Sequence, residues 1–393
     1  MAEGKLRVLM IAPTPFFADR GCHVRILEEA RILLRRGHDV RVATYHIGRD
    51  LPDIPSCRIP GIPWYRKLSA GPSWHKPYLD ILLFFKSVSV ARDFRPHLIH
   101  AHLHEGAFLG LFLKRLLGIP LLFDCQGSMT TEMADHGFIR KGGMLYRLFR
   151  CIEGVVNRGA DHIITSSGPA ARELREDWGV PGGKVTALMD GVNADEFRPC
   201  PGEGVRAKMG LPPDVPVAVF LGVMNRYQGM DILLEVVRHV KERGVPLHFL
   251  VMGFPEEGYR RKARESGLDD WITFTGRIDY REAARCLSAG DVALSPKISL
   301  AEANGKLFNY MACGLPTLAF DTPVNREILG DAGVYATFAD ASDYADKLVM
   351  LATDPVMRRE LAVKGRERAV RRHSWEARGE ELEKVYGALL PKE

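Results

Sequence analysis

The chain has 393 residues, 46% of them hydrophobic and 26% charged, with a formal net charge of +5. Those proportions fit a soluble globular protein of two or three ordinary domains. They exclude a disordered chain, a collagen-like repeat and a bundle of membrane spans.

The charge is uneven: residues 1–190 hold 26 Lys+Arg against 19 Asp+Glu, and the remaining residues hold 28 against 30. The basic front half has no basic run interleaved with aromatics, so no nucleic-acid partner is expected. An anionic membrane surface and an acidic acceptor both fit the charge. The first fifteen residues lack a secretory pattern, and the longest apolar stretch, around 81–85, is interrupted by Asp80 and Lys86. Seven scattered cysteines, odd in number and without a CxxC, read as reduced thiols in a cytoplasmic protein.

Taken in chain order, residues 6–12 form a nearly continuous apolar run and read as a fully buried strand. Residues 24–34 show helical spacing and stop at Gly37. Strands follow at 40–44, 97–102, 121–124 and 162–165, with helices near 106–117, 142–158 and 168–178. Such alternation predicts a parallel sheet with helices on both faces. Pro and Gly cluster from Pro181 to Pro213, as at a domain boundary. The pattern then restarts, with strands at 217–222, 247–252, 272–275, 291–294 and 317–320, each trailed by a helix, and a last helix near 374–390. The fold class expected is α/β, with two Rossmann-like, doubly wound domains facing an interdomain cleft. They cover 1–190 and 191–372, and helix 373–393 crosses back to the first. Ligands in such sheets bind beyond the carboxyl ends of the strands, so chemistry is sought at strand-to-helix turns.

The most informative turn lies in 294–316, LSPKISLAEANGKLFNYMACGLP. A strand ends at Ser295-Pro296, and a helix opens through Asn304-Gly305 and stops at Gly314. Such an opening presents backbone N–H groups and a positive dipole end, and Lys306 and Lys297 add full charges. A dipole end supplies only about 0.3–1 kcal/mol. Charge-assisted hydrogen bonds, at about 1.5–3 kcal/mol each, must supply the rest of any grip on a diphosphate.

From these residues the sequence resembles the retaining glycosyltransferases of family 4, which have the GT-B fold. The block Asn309-Tyr310-Met311-Ala312-Cys313-Gly314-Leu315-Pro316 stands where that family has a Glu before Ala-Met-Ala-x-Gly-x-Pro. Gly37-His38-Asp39-Val40, Asp190-Gly191-Val192-Asn193, Tyr227-Gln228-Gly229-Met230-Asp231 and His373-Ser374-Trp375 extend the likeness along the whole chain. The resemblance implies a nucleotide-sugar donor held by the C-terminal domain, an acceptor held by the N-terminal one, and retention at the anomeric carbon. The amides of Gly305, Lys306 and Leu307, with Asn304, would hold the diphosphate, and Asn309 would meet the ribose without charge assistance. Glu302 takes the part of the family's first Glu if the loop is shortened; strict spacing falls on Ala301. The family's Arg and Lys on the donor phosphates become Val223 and Gln228, so Arg226, Lys306 and Lys297 are expected to substitute. Gly21 and Arg20 replace a Gly-Gly loop; backbone can approach phosphate closely at Gly21, whereas Arg20 could touch phosphate or acceptor, or cap solvent. Gln126 stands where many members have a His touching the transferred sugar, and it cannot act as a base.

His97, His100, His102 and His104 with Glu105 suggest a metal cluster at first sight. The strand should end near His102, which breaks the alignment, and no Asp-x-Asp pair occurs. No metal and no cofactor is therefore expected, the nucleotide sugar being a co-substrate. His102, His104 and Glu105 are read as lining the acceptor side, with His102 also a catalytic candidate, and His100 as core. In 142–158, Leu145, Leu148, Phe149, Ile152 and Val155 share one helical face. Packing of that face into the first domain is the leading expectation, and peripheral attachment to an anionic inner-membrane surface the alternative. The segment 46–78, rich in Pro, Trp, Tyr and basic residues, shapes the acceptor site or is a surface excursion.

The function expected is transfer of a hexosyl- or N-acetylhexosaminyl-type sugar from a UDP- or GDP-sugar to a hydroxyl acceptor, lipid-linked or a cell-envelope glycan. A non-hydrolysing nucleotide-sugar epimerase and a degenerate nucleotide-sugar-binding protein of the same fold stay open.

Overall fold

A computed structural model describes residues 4–18, 21–68, 73–135, 137–201, 203–298, 300 and 303–390. The chain divides into two units: residues 1–189 with 375–393, and residues 190–374.

In the first unit the elements run β1 (Arg7–Ala12), α1 (Gly21–Arg35), β2 (Asp39–Thr44), β3 (Ser56–Arg58), α2 (Lys76–Phe94), β4 (Leu98–His102), α3 (Leu103–Leu117), β5 (Leu121–Cys125), α4 (Met129–Asp135), α5 (Met144–Gly159), β6 (His162–Thr165), α6 (Gly168–Glu176) and β7 (Val185–Ala187). They form one parallel sheet ordered β3-β2-β1-β4-β5-β6-β7. Leu9, Ile11, Ile99, Ala101, Leu121 and Phe123 pack with Leu79, Leu83, Ala107 and Leu113 of α2 and α3. Alternation along β4 therefore turns His100 and His102 to the opposite face, toward α1.

The second unit runs α7 (Glu203–Lys208), β8 (Val217–Leu221), α8 (Met230–Glu242), β9 (His248–Met252), α9 (Glu257–Glu265), β10 (Ile272–Phe274), α10 (Ala283–Leu287), β11 (Val292–Ser295), α11 (Lys306–Ala312), β12 (Thr317–Phe320), α12 (Pro323–Leu329), β13 (Gly333–Ala336), α13 (Ala341–Thr353) and α14 (Pro355–Arg372). Its sheet is also parallel, ordered β10-β9-β8-β11-β12-β13. Helix α15 (Trp375–Leu389) belongs to the first unit and packs on α1. There Arg36 meets Glu383 at 2.7 Å, and Ile32 lies so close to Gly379 that an added Cβ would come within 2.5 Å of it.

In each sheet the strand order reverses once, between β1 and β4 and between β8 and β11. The crevice beyond the strand ends at such a reversal is where open parallel sheets receive ligands. Two buried tyrosine hydroxyls fix the second reversal. Tyr310 of α11 accepts the Leu221 amide at 2.8 Å and donates to the Leu294 carbonyl at 3.3 Å. Tyr344 of α13 accepts the Ser295 amide at 3.0 Å and donates to the Leu318 carbonyl at 2.8 Å.

The apolar face of α5 is not packed as expected. Its buried residues are Glu153, Gly154, Val156 and Asn157, while Leu145, Leu148 and Val155 are exposed. The physical reason is Glu153, whose carboxylate accepts Ser128 Oγ at 2.8 Å, Thr130 Oγ1 at 2.7 Å and the Thr130 amide at 3.1 Å. A buried carboxylate with that many donors holds the polar side of the helix inward.

Candidate functional site

Lys306 lies at the reversal of the second sheet. It opens α11, and its side chain runs back under the end of β8, where a Cβ on Gly222 would approach its amine to 2.9 Å. Its Nζ lies 4.1 Å from the centroid of Phe220 and donates to Gln228 Oε1 at 2.9 Å. Burial first, and the charge of Lys297 second, push this amine down to about 7. The residue that replaces a family lysine thus serves as a neutral acceptor for another lysine. Lys297, buried, donates to the Ala303 carbonyl at 2.7 Å and stands over Tyr227 with its amine 5.3 Å from the ring centroid.

Around the same turn, the amides of Gly305 and Lys306 find no acceptor among the described residues, whereas Leu307 N donates to Asn304 O at 3.0 Å and the Leu307 side chain is core. Asn304 is buried and spends its amide nitrogen on Ser295 Oγ at 2.8 Å and Asn325 Oδ1 at 3.0 Å, so it ties the loop to the strand ends. Asn309 is half-buried one turn into the helix, and Gly305 is exposed, with a Cβ there 3.4 Å from Asp190 Oδ2. Arg226 is exposed, and its guanidinium has no partner among the described residues. Gly229 lets the intervening loop close over Pro296: its φ is +79°, and a Cβ would lie 1.9 Å from the Pro296 carbonyl oxygen. Glu302 and Arg20 lie outside the described residues.

The first unit carries a buried polar network. Arg25 of α1 contacts both Asp124 carboxylate oxygens at 3.0 Å and Glu29 at 3.2 Å, and donates to the Leu188 carbonyl at 3.0 Å. His102 Nδ1 meets Asp124 Oδ2 at 2.9 Å, and Gln126 Nε2 donates to the same oxygen at 2.6 Å. His100 stacks on His102 with ring centroids 4.4 Å apart and pairs its Nδ1 with the Tyr386 hydroxyl of α15 at 2.9 Å. Burial opposes ionisation of Asp124, but Arg25 and His102 beside it hold the carboxyl well below the usual carboxylate range. Burial drives His100 well below its ordinary value. Glu29, His100, His102 and Asp124 place ligand atoms within 4.8 Å of one another, a grouping that could hold a metal ion. Arg25 already supplies positive charge there, binding both carboxylates.

His104 parts from the other histidines. Strand β4 ends at His102, Leu103 turns through φ +61°, and His104 is buried against Phe123 with its Nε2 3.8 Å from Glu153. Burial lowers its pKa. Glu105 pairs with Lys76 of α2; burial pushes its carboxyl up, yet Lys76 outweighs that and holds it below its ordinary value. Beside them half-buried Asp80 is pushed up to about 7 by desolvation and the charge of Glu105, while the Tyr45 hydroxyl donates to it at 2.5 Å. Gly21 opens α1, exposed, with nothing within 4 Å of where a Cβ would stand. The segment 46–68 is ordered around β3 and the buried Tyr65, whose carbonyl pairs with His46 Nε2 at 3.1 Å; 69–72 fall outside the described residues.

Sequence reasoning missed Arg25, Glu29, Lys76, Asp80 and Glu153. Arg25 and Glu29, four apart on the apolar side of α1, were the available signal, because a charge there must find a partner.

Two Rossmann-like units of this topology are the architecture of the GT-B fold, with an amine-lined turn at the switch point of the second. The sequence model of the Glycosyl transferase 4-like domain matches residues 20–191, and that of Glycosyl transferases group 1 matches residues 215–354. The chain belongs to this glycosyltransferase family. It is 28% identical to D-inositol 3-phosphate glycosyltransferase of Thermomonospora curvata, over 93% of this chain and 90% of that one. It is 26% identical to phosphatidyl-myo-inositol mannosyltransferase of Mycobacterium leprae, over 97% and 96%. Among solved structures it is similar to sucrose-phosphate synthase of Thermosynechococcus elongatus, with a TM-score of 0.82 and 20% identity over 98% and 99% of the chains. It is also similar to HepE of Anabaena in complex with UDP, with a TM-score of 0.77 and 14% identity over 98% and 100%.

Proposed function

We propose that the protein transfers a sugar, with retention, from a UDP- or GDP-sugar to a hydroxyl acceptor that is lipid-linked or part of an envelope glycan. The observation that carries this reading is Lys306: a desolvated amine at the switch point, hydrogen-bonded to a neutral amide and titrating near 7. An arriving diphosphate supplies the negative charge that such an amine lacks, and binding it raises the amine's pKa. Lys297 and the Gly305 and Lys306 amides add donors, Arg226 reaches in from the exposed loop, and Asn309 meets the ribose. Glu302, one position from the strict spacing, takes the part of the family's first Glu. On the acceptor side Gln126 meets the transferred sugar, and buried His102, bonded to the same Asp124 oxygen, positions it; His104 and Glu105, held by Glu153 and Lys76, brace that end of the sheet. Gln126 and the Arg25-held Asp124 position groups without supplying a base. The leaving phosphate accepts the proton of the attacking hydroxyl, and catalysis is positioning plus stabilisation of the leaving charge. The UDP carried by the HepE structure supports the donor class, the inositol-directed names of the relatives support a hydroxyl acceptor, and the phosphatidyl-myo-inositol named for the Mycobacterium leprae relative supports a lipid-linked one.

Titration with UDP and GDP tests it. Wild-type protein should bind one of them, and Lys306→Ala should weaken binding by about tenfold or more, the loss of a charge-assisted hydrogen bond. Equal affinity in the variant would remove Lys306 from the site.

A further inference from the structure

We propose that the surface formed by α5 and the loop before it docks onto an anionic lipid bilayer; this goes beyond the reaction proposed above and does not depend on it. The helix leaves the outer part of its apolar face uncovered. Met144, Leu145 and Leu148 are 86%, 46% and 52% exposed, Phe149 and Ile152 are half-buried, and the buried side carries Glu153 and Asn157 beside Val156. Exposed Trp74, at 73%, rests on Phe138 with ring centroids 4.6 Å apart, which joins a second apolar anchor to the start of the helix. Arg140, Lys141 and Arg147 are exposed beside these residues, and none has an ion-pair partner among the described residues. From Gly137 to Arg158 the only acidic residue in the sequence is Glu153, which is buried.

An amphipathic helix with a protruding apolar edge, a tryptophan at its margin and basic residues alongside has the chemistry of an interfacial membrane anchor. Charge decides between occupants. A second copy docking by the same face would set Arg140, Lys141 and Arg147 against their own counterparts. A bilayer containing anionic phospholipid supplies the complementary sign together with an apolar layer for Met144 and Leu148. No helix among the described residues is long and apolar enough to cross a membrane, so the contact is one of lying on the surface.

Vesicle flotation of the full chain tests it, using phosphatidylcholine vesicles with and without roughly a third of phosphatidylglycerol. The wild type should float with the anionic vesicles only, and added salt should release it in part. The double variant Met144→Glu, Leu148→Glu should lose at least about tenfold in binding, and Arg140→Ala, Lys141→Ala should lose the preference for anionic lipid. Far-UV circular dichroism and thermal melting of each variant, unchanged from the wild type, report an intact fold, and unchanged UDP or GDP affinity separates this surface from the reaction site. Absence of wild-type flotation, equal flotation on both vesicle types, or undiminished binding by the glutamate variant would overturn the proposal. So would light scattering showing that the glutamate pair instead splits a dimer into monomers.

Discussion

On the proposed function, Lys306 would link nucleotide binding to protons. Its amine, pushed down to about 7 by burial, is half charged near neutral pH in the unliganded protein. A bound diphosphate favours the charged form, so binding takes up a proton, and affinity should fall as pH rises from about 6 to 8. Calorimetry in buffers of different ionisation enthalpy reads that uptake directly; Lys306→Met should abolish both the uptake and the slope. Of the residues singled out from sequence, Lys306 and Lys297 were legible because a lysine at a strand-to-helix turn is visible in one dimension. Asn304 was legible in place but not in use: its neighbours Ser295 and Asn325 come from the end of β11 and from α12. The Arg25–Asp124 pair spans 99 positions, and no local spacing reports it.

At the scale of elements, the loop between β8 and α8 depends on two close backbone approaches. Gly253, after β9, has φ +150°, and a Cβ there would lie 1.7 Å from the Gly222 carbonyl oxygen. Gly229 meets Pro296 as described. Gly229→Ala should therefore displace the loop carrying Arg226 and Gln228 and free the Lys306 amine from its acceptor. The expected result is nucleotide affinity reduced by about tenfold, with a loss of stability of roughly 1–3 kcal/mol in chemical denaturation. The long strands and amphipathic helices were legible because periodicity reports burial. Helix α2 was not, since Ile81 and Phe85 leave it apolar on its exposed side too, and β3 and β7 are only three residues each. Helix α5 had legible amphipathicity, but its apolar face is only partly covered, because Glu153 finds its hydroxyl and amide donors only in the folded chain.

For the whole molecule, the proposed function divides the work between two parallel sheets with one reversal each, assigning the donor groups to the second reversal and the acceptor-side groups to the first. Hydrogen exchange of the full chain with saturating UDP or GDP should slow amides at 222–229 and 295–310, while β4 and β5 keep their free-state rates. Slowing confined to the first unit would reverse the assignment.

The contact of His100 with Tyr386 also bears on biosynthesis. The hydroxyl that pairs with this interior imidazole arrives on α15, encoded after the entire 190–374 segment. While the ribosome is still translating that segment, the nascent first unit must wait with His100 unpaired from that hydroxyl and its α1 helix lacking the partner that will clasp Arg36 and Ile32. During that interval the unit is most open to chaperones and proteases.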